Sequence, residues 1–155
     1  MQTIEMNEDI TTGLQQIRDA NGPITVNFHG GFEEESVFTL ILIANTVKKY
    51  PHETIASIDG CIPLFPAITA NKIKMAPLAM VFIVPIRTFV NESESDAENR
   101  KQLIINSMKI KSLNITIRKL YKKYPKLQAL FDDGEDHFLT REDLIANGVD
   151  VINNG

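Results

Sequence analysis

The sequence predicts an α/β domain, and three observations lead there: β-branched runs alternate with helical patterns, a Gly-Gly pair stands between one strand and its helix, and 155 residues is the length of one domain. Alternation of this kind implies parallel strands joined by helical crossovers. A chain of this size buries roughly two-thirds of the surface that its unfolded form exposes, enough for a single core.

In NEDITTGLQQIRDANG, Ile10, Leu14 and Ile17 recur at helical spacing, and Asn21-Gly22 supplies the stop. PITVNF, Pro23 to Phe28, reads as a strand. In FEEESVFTLILIANTVKKYP the glutamates Glu33, Glu34 and Glu35 are expected in the first helical turn and Lys48 and Lys49 in the last, as the helix dipole favours, with Pro51 ending the helix. TIASID, Thr54 to Asp59, is a second strand, CIPLFPAITAN a short apolar helix or turn, and LAMVFIVPI a third strand. The polar NESESDAENRK reads as a loop leading into one long amphipathic helix at about 97–124. Leu103, Met108, Leu113, Ile117, Leu120 and Tyr121 recur along it at roughly helical spacing, and it ends near Tyr124-Pro125. Thr140 is an N-cap with Asp143 three residues on, Asn147-Gly148 is the stop, and VDVI closes the chain's structure as a strand.

Composition limits the function classes. A formal net charge of -4 argues against a nucleic-acid binder held mainly by phosphate contacts. The lysines and Arg118 of the long helix read as a solvated face. Cys61 is the single cysteine, so no internal disulfide forms, no cysteine-based zinc cluster exists, and a reducing cytoplasm suits the chain. The longest apolar run, APLAMVFIVPI, is too short to span a membrane and holds two prolines, while the opening MQTIEMNEDI lacks the pattern of an export signal. No cofactor or metal is implied, since the Glu33–Glu35 run is accounted for by the helix dipole.

One stretch has the form of a reaction site. In TVNFHGG, Gly30 and Gly31 place free backbone amides at a helix N-terminus, a natural holder for an oxyanion or phosphate. Cys61 or Ser57 with His29 as base are the candidate reactive groups. The plainer readings are that Cys61 is a small buried apolar residue and that His29 hydrogen-bonds the loop backbone, in which case His29→Ala changes little. Asp136 and His137 invite pairing, but neighbours in an extended stretch point to opposite faces.

Four segments in this order and spacing resemble the Clp protease proteolytic-subunit family and its phage-encoded relatives, within the wider Clp/crotonase superfamily. VNFHGGFEEESVFTLILIANTVKKYP is similar to the family's strand, NSPGG oxyanion turn and following helix, with Phe28-His29 in place of Ser-Pro. SIDGCIPLFPAITANKIKM resembles VDGxAASAAxxIAxAG, where the nucleophile lies. MAPLAMVFIVPI resembles the strand whose end supplies the histidine. DGEDHFLTREDLIANGVDVI is similar to the closing RDxFLTAEEAxEYGLVDxI.

The resemblance implies stacked β-β-α units with a protruding handle helix, here about 97–124, and an ATP-dependent serine endopeptidase in the family at large. It also puts the nucleophile position near Leu64, the base at Val84 and the acid at Asp136, or Asp133 in a slipped register. Neither Leu64 nor Val84 can move a proton, and a Ser-His-Asp mechanism needs both groups. The expectation is therefore an inactive subunit, a pseudoprotease working through a homo-oligomeric ring or stacked rings, a mixed ring with an active subunit, an unfoldase or a virion protein. A peptidase with a rearranged site built on Cys61 or Ser57 with His29 is the alternative, and a crotonase-like acyl-thioester binder is a third. Ile104, Ile105, Ile110, Ile115 and Ile117 are expected to be buried against another copy.

Overall fold

In a computed structural model of the chain, residues 1–7, 9–30, 32, 36–87 and 97–152 are described, with the side chains of 97–99, 102 and 103 excepted. Strand β1 (Gln2–Met6) leads into helix α1 (Ile10–Asp19), β2 (Ile24–Phe28), α2 (Val37–Lys49) and β3 (Thr54–Ile58). Then come β4 (Cys61–Pro63), β5 (Lys72–Met75), β6 (Met80–Ile83), α3 (Ala97–Leu120), α4 (Pro125–Asp132), β7 (His137–Leu139), α5 (Arg141–Ala146) and β8 (Val151–Ile152). Two sheets result. The larger has the order β1-β2-β3-β5-β8 and is parallel throughout, as the alternation of strand and helix requires. The smaller has the order β4-β6-β7, with β4 and β6 parallel and β7 antiparallel to β6.

Period-two alternation sorts the large sheet into two unlike faces. Ile4 and Met6, then Ile24, Val26 and Phe28, then Ala56 and Ile58, then Ile73 and Met75 point inward and are almost fully buried. Each contributes about 1.5–3 kcal/mol of burial where it is a large side chain. Ile10, Leu14 and Ile17 of α1 and Leu40, Ile43 and Val47 of α2 join them in one core. The opposite face carries Thr3, Glu5, Thr25, Asn27, Ile55, Ser57, Lys72 and Lys74, all exposed or half-buried.

Several elements depart from the sequence reading. Helix α2 starts at Val37, with the Ser36 side chain accepting from the Thr39 amide as N-cap, so its first turn holds no acid. Glu33, Glu34 and Glu35 precede it and lie outside the described residues. The long helix stops at Leu120 because the next amides bond three residues back, Tyr121 to Arg118 and Tyr124 to Tyr121, tightening the turn. Pro125 then opens α4 from its first turn, where a missing N–H costs nothing. Ile117 is buried in this chain's own core, together with Leu120 and Tyr121, and so needs no second copy to cover it.

Candidate functional site

The small sheet gathers the three positions that the family resemblance singles out. Leu64 follows β4, Val84 follows β6, and Asp136 precedes β7. Parallel pairing of Pro63 with Phe82 sets Leu64 beside the end of β6, and the Leu64 amide donates to the Phe82 carbonyl at 3.0 Å. Antiparallel pairing of Ile83 with His137, continued by one step, sets Val84 across from Asp136. The Leu64 carbonyl accepts from the Ala67 and Ile68 amides, so this residue opens a tight helical turn.

The side chains at the Leu64 and Val84 positions are carbon. Leu64 is fully buried. Val84 lines a depression of about 200 Å3 with Phe32, Val37, Leu40, Pro63, Phe65, Phe82, Pro85 and Ile86, none of which carries a side-chain proton donor or acceptor. Asp136 is held by a cation: Arg87 Nη1 lies 2.6 Å from its Oδ1, while Nη2 of the same guanidinium donates to the Gly134 carbonyl at 2.7 Å. His137 turns instead to Asp133, with Nε2 2.7 Å from Oδ2. The Glu135 amide, and after it His137, hold the Asp133 carboxyl below its ordinary value. Arg87 gave no signal in the sequence, because it stands outside every motif and meets Asp136 only through the β6–β7 pairing.

The glycine turn lies at the C-terminal edge of the large sheet. Gly30 has φ +101, a left-handed conformation that glycine adopts without strain. Gly31 falls outside the described residues. The turn rests on the connection after β3: a Cβ at Gly60 would stand 2.5 Å from the His29 carbonyl oxygen, and one at Gly30 3.8 Å from the Cys61 carbonyl oxygen. Cys61 is exposed, in contrast to the expectation of a buried apolar residue, because β4 turns Ile62 and Pro63 inward and leaves its first residue at the rim. Ser57 lies on the outer face of β3, between Asn27 of β2 and Lys74 of β5.

His29 has side-chain partners rather than the loop-backbone partner expected. Its Nδ1 lies 2.7 Å from Asp59 Oδ2, and its Nε2 meets Glu5 Oε2. Asn27 Nδ2 donates to the other Glu5 oxygen at 3.0 Å. The hydrogen bond to Glu5 raises the His29 pKa, burial opposes it, and Asp59 adds to the rise, while His29 followed by Asn27 lowers the pKa of Glu5. Both ring nitrogens are thus committed to carboxylates contributed by β1 and by the end of β3.

No protein-family model matches the sequence, and no curated protein matches it. Among solved structures, the chain is similar to a mutant of ClpP1 from Listeria monocytogenes, with a TM-score of 0.70 over 99% of this chain and 91% of that one, at 17% identity. The chain has a ClpP-like fold. At that identity the likeness speaks for architecture alone. Within the ClpP-like fold, the small sheet brings together Leu64, Val84 and Asp136, while His29 and Gly30 follow β2 of the large sheet and approach Gly60 and Cys61 at the start of β4. Among the described residues no helix is long and apolar enough to cross a membrane, and no group of three or more His, Cys, Asp or Glu side chains is placed to hold a metal ion.

Proposed function

We propose that this chain is a catalytically inactive, ClpP-like subunit of the cytoplasm that acts by assembly or by binding a partner. The observation that carries this reading is the carbon lining where the resemblance calls for a hydroxyl and an imidazole. Leu64 is sealed in the core, Val84 faces an apolar depression, and the acid position Asp136 is occupied by Arg87. Losing either the nucleophile or the base of a triad costs orders of magnitude in rate.

Support for assembly comes from α3. Ile104, Met108 and Ile115 stand at i, i+4 and i+11, close to one line along the helix, and are 61%, 67% and 50% exposed. An exposed apolar stripe of this kind gains by docking on another protein. We take α3 as the handle of the ClpP-like fold and its partner as a second copy, in a ring, in stacked rings or in a mixed ring with an active subunit. An unfoldase or a virion protein would then meet the assembled form. Nucleic acid and membrane are not among the partners proposed.

The test combines fluorophosphonate and iodoacetamide probes with a panel of peptide substrates. Inactivity predicts no fluorophosphonate adduct and no cleavage, with iodoacetamide labelling Cys61 only as an exposed thiol. Cleavage that disappears in Cys61→Ser or Ser57→Ala and in His29→Ala would replace this proposal with a rearranged peptidase. Saturable acyl-CoA binding would replace it with a thioester binder.

A further inference from the structure

Glu5 from edge strand β1, His29 after β2 and Asp59 after β3 form a chain of side chains across three neighbouring strand ends. An ionised carboxylate only accepts hydrogen bonds, and a neutral imidazole has one N–H and one lone pair. His29 can therefore satisfy Glu5 and Asp59 together only as an imidazolium. Losing the proton leaves one carboxylate facing a lone pair, and that link opens.

We propose that His29 is a proton-operated clasp that fastens edge strand β1 to the glycine turn and to the β3–β4 connection, closed when the imidazole is charged and open when it is neutral. Three features of the surroundings favour this role. Asn27 gives Glu5 a second partner, so the carboxylate stays in place when the histidine lets go. Gly60 passes so near the His29 carbonyl that a Cβ there would stand 2.5 Å from its oxygen, which keeps the connection carrying Asp59 beside the turn. Strand β1 has, among the described residues, a ladder partner on one side only, which leaves its end open to fraying. Among the described residues, the titratable groups on the imidazole are Glu5 from β1 and Asp59 from the β3–β4 connection, and Cys61 opens β4 with its backbone beside Gly30. Lys74 of β5 lies further along the same cross-sheet row, and Asp9, ahead of α1, is taken up by Thr12. The direction of the His29 shift agrees with the geometry. The clasp does not depend on whether the turn performs any chemistry, so its test and the peptidase test succeed or fail separately.

Two measurements on the full chain decide the matter. The first is an NMR titration of the His29 ring. The second is hydrogen exchange of the β1 amides across the same pH range, corrected for intrinsic exchange. The expected result is a His29 midpoint above its ordinary value of 6.5. It should fall in Glu5→Gln, whose amide can donate to a neutral ring. Exchange in β1 should quicken about three- to tenfold as pH rises through the wild-type midpoint, the effect of losing one charge-assisted hydrogen bond at an exposed site. In His29→Asn the step should vanish, with Asp59→Asn as a second variant should His29→Asn fold poorly. A midpoint at or below 6.5, flat β1 exchange across it, or the same step in the variant that folds would overturn the proposal.

Discussion

Replacing Gly60 with alanine is expected to unsettle the glycine turn more than any exchange on its surface. The added Cβ would lie 2.5 Å from the His29 carbonyl oxygen, 3.0 Å from its carbonyl carbon and 3.4 Å from the Gly30 nitrogen. A comfortable carbon contact needs about 3.5 Å, so one segment must retreat by about 1 Å. Neither segment is free to do so. The β2–β3 ladder runs up to the Phe28–Ile58 pair, the Asp59 amide donates to the Phe28 carbonyl at 3.2 Å, and the Met80 amide to the Gly60 carbonyl at 3.2 Å. Overpacking against fixed backbone costs about 3 kcal/mol, and alanine's smaller unfolded-state entropy returns about 0.5–1 kcal/mol. The net loss is about 2–2.5 kcal/mol, or roughly 4–10 °C in melting temperature for a domain of this length. Urea denaturation at fixed protein concentration measures it, the concentration being held because assembly would add to apparent stability. Gly22→Ala is the control, since Gly22 has φ +101 but nothing within 4 Å of a Cβ, leaving only backbone strain of about 1 kcal/mol. A Gly60→Ala cost no larger than the Gly22→Ala cost would refute the close approach of the two connections.

Three further outcomes are expected. Leu64→Ala, at a fully buried side chain, should destabilise the fold by about 2–5 kcal/mol in the same denaturation assay, the behaviour of a core residue. Replacing Ile104 and Met108 together with lysine should shift light scattering toward smaller species while leaving the far-UV CD spectrum unchanged, because both side chains are exposed within the chain. Stability should also vary with pH through the His29 clasp. The His29 pKa is raised on folding, so its contribution is full below the ordinary 6.5 and lost as pH rises through the folded value. The Glu5 pKa is lowered, so its contribution is full above 4.5 and lost as pH falls through the folded value. Their shared contribution is therefore greatest between about pH 4.5 and 6.5, and His29→Asn should flatten the denaturation midpoint across the alkaline side of that window.

Periodicity alone was enough for the long elements. Helices α1 and α2 and strands β2, β3 and β6 stand where spacing and β-branching predict, because each buries one face against a common core and the pattern records that face. The two residues of β8 fall within the strand expected at VDVI, but β1, β5 and β7 escape the sequence pattern. In β1, Gln2–Met6, a polar residue alternates with Ile4 and Met6 over only five positions at a sheet edge. In β5, lysines at 72 and 74 conceal a strand whose Ile73 and Met75 are buried. In β7, three residues are extended mainly by their pairing with β6. A strand fixed by its neighbours leaves little periodicity of its own.

The site divides along the same line between local and distant information. Asp136, Leu64 and Val84 are marked only by the resemblance of their segments to the Clp proteolytic-subunit pattern, and the β4–β6–β7 pairing puts them side by side. What each of them touches was not legible. Arg87 reaches Asp136 across 49 positions, and Glu5 and Asp59 reach His29 across 24 and 30. Those partners decide the chemistry, since the Asp136 carboxylate is turned to a guanidinium while the neighbouring His137 ring is turned to Asp133, and an imidazole held at both nitrogens has no free lone pair for a nearby thiol or hydroxyl. A general base must have such a lone pair within reach of the proton it takes. For His29 to serve Cys61 or Ser57, the ring would first have to release Asp59 or Glu5, and the conditions that release it are those that remove its proton. Any peptidase activity of this chain should therefore rise with pH through the same midpoint at which the β1 amides lose protection, and a pH–rate profile displaced from that midpoint would exclude His29 as the base.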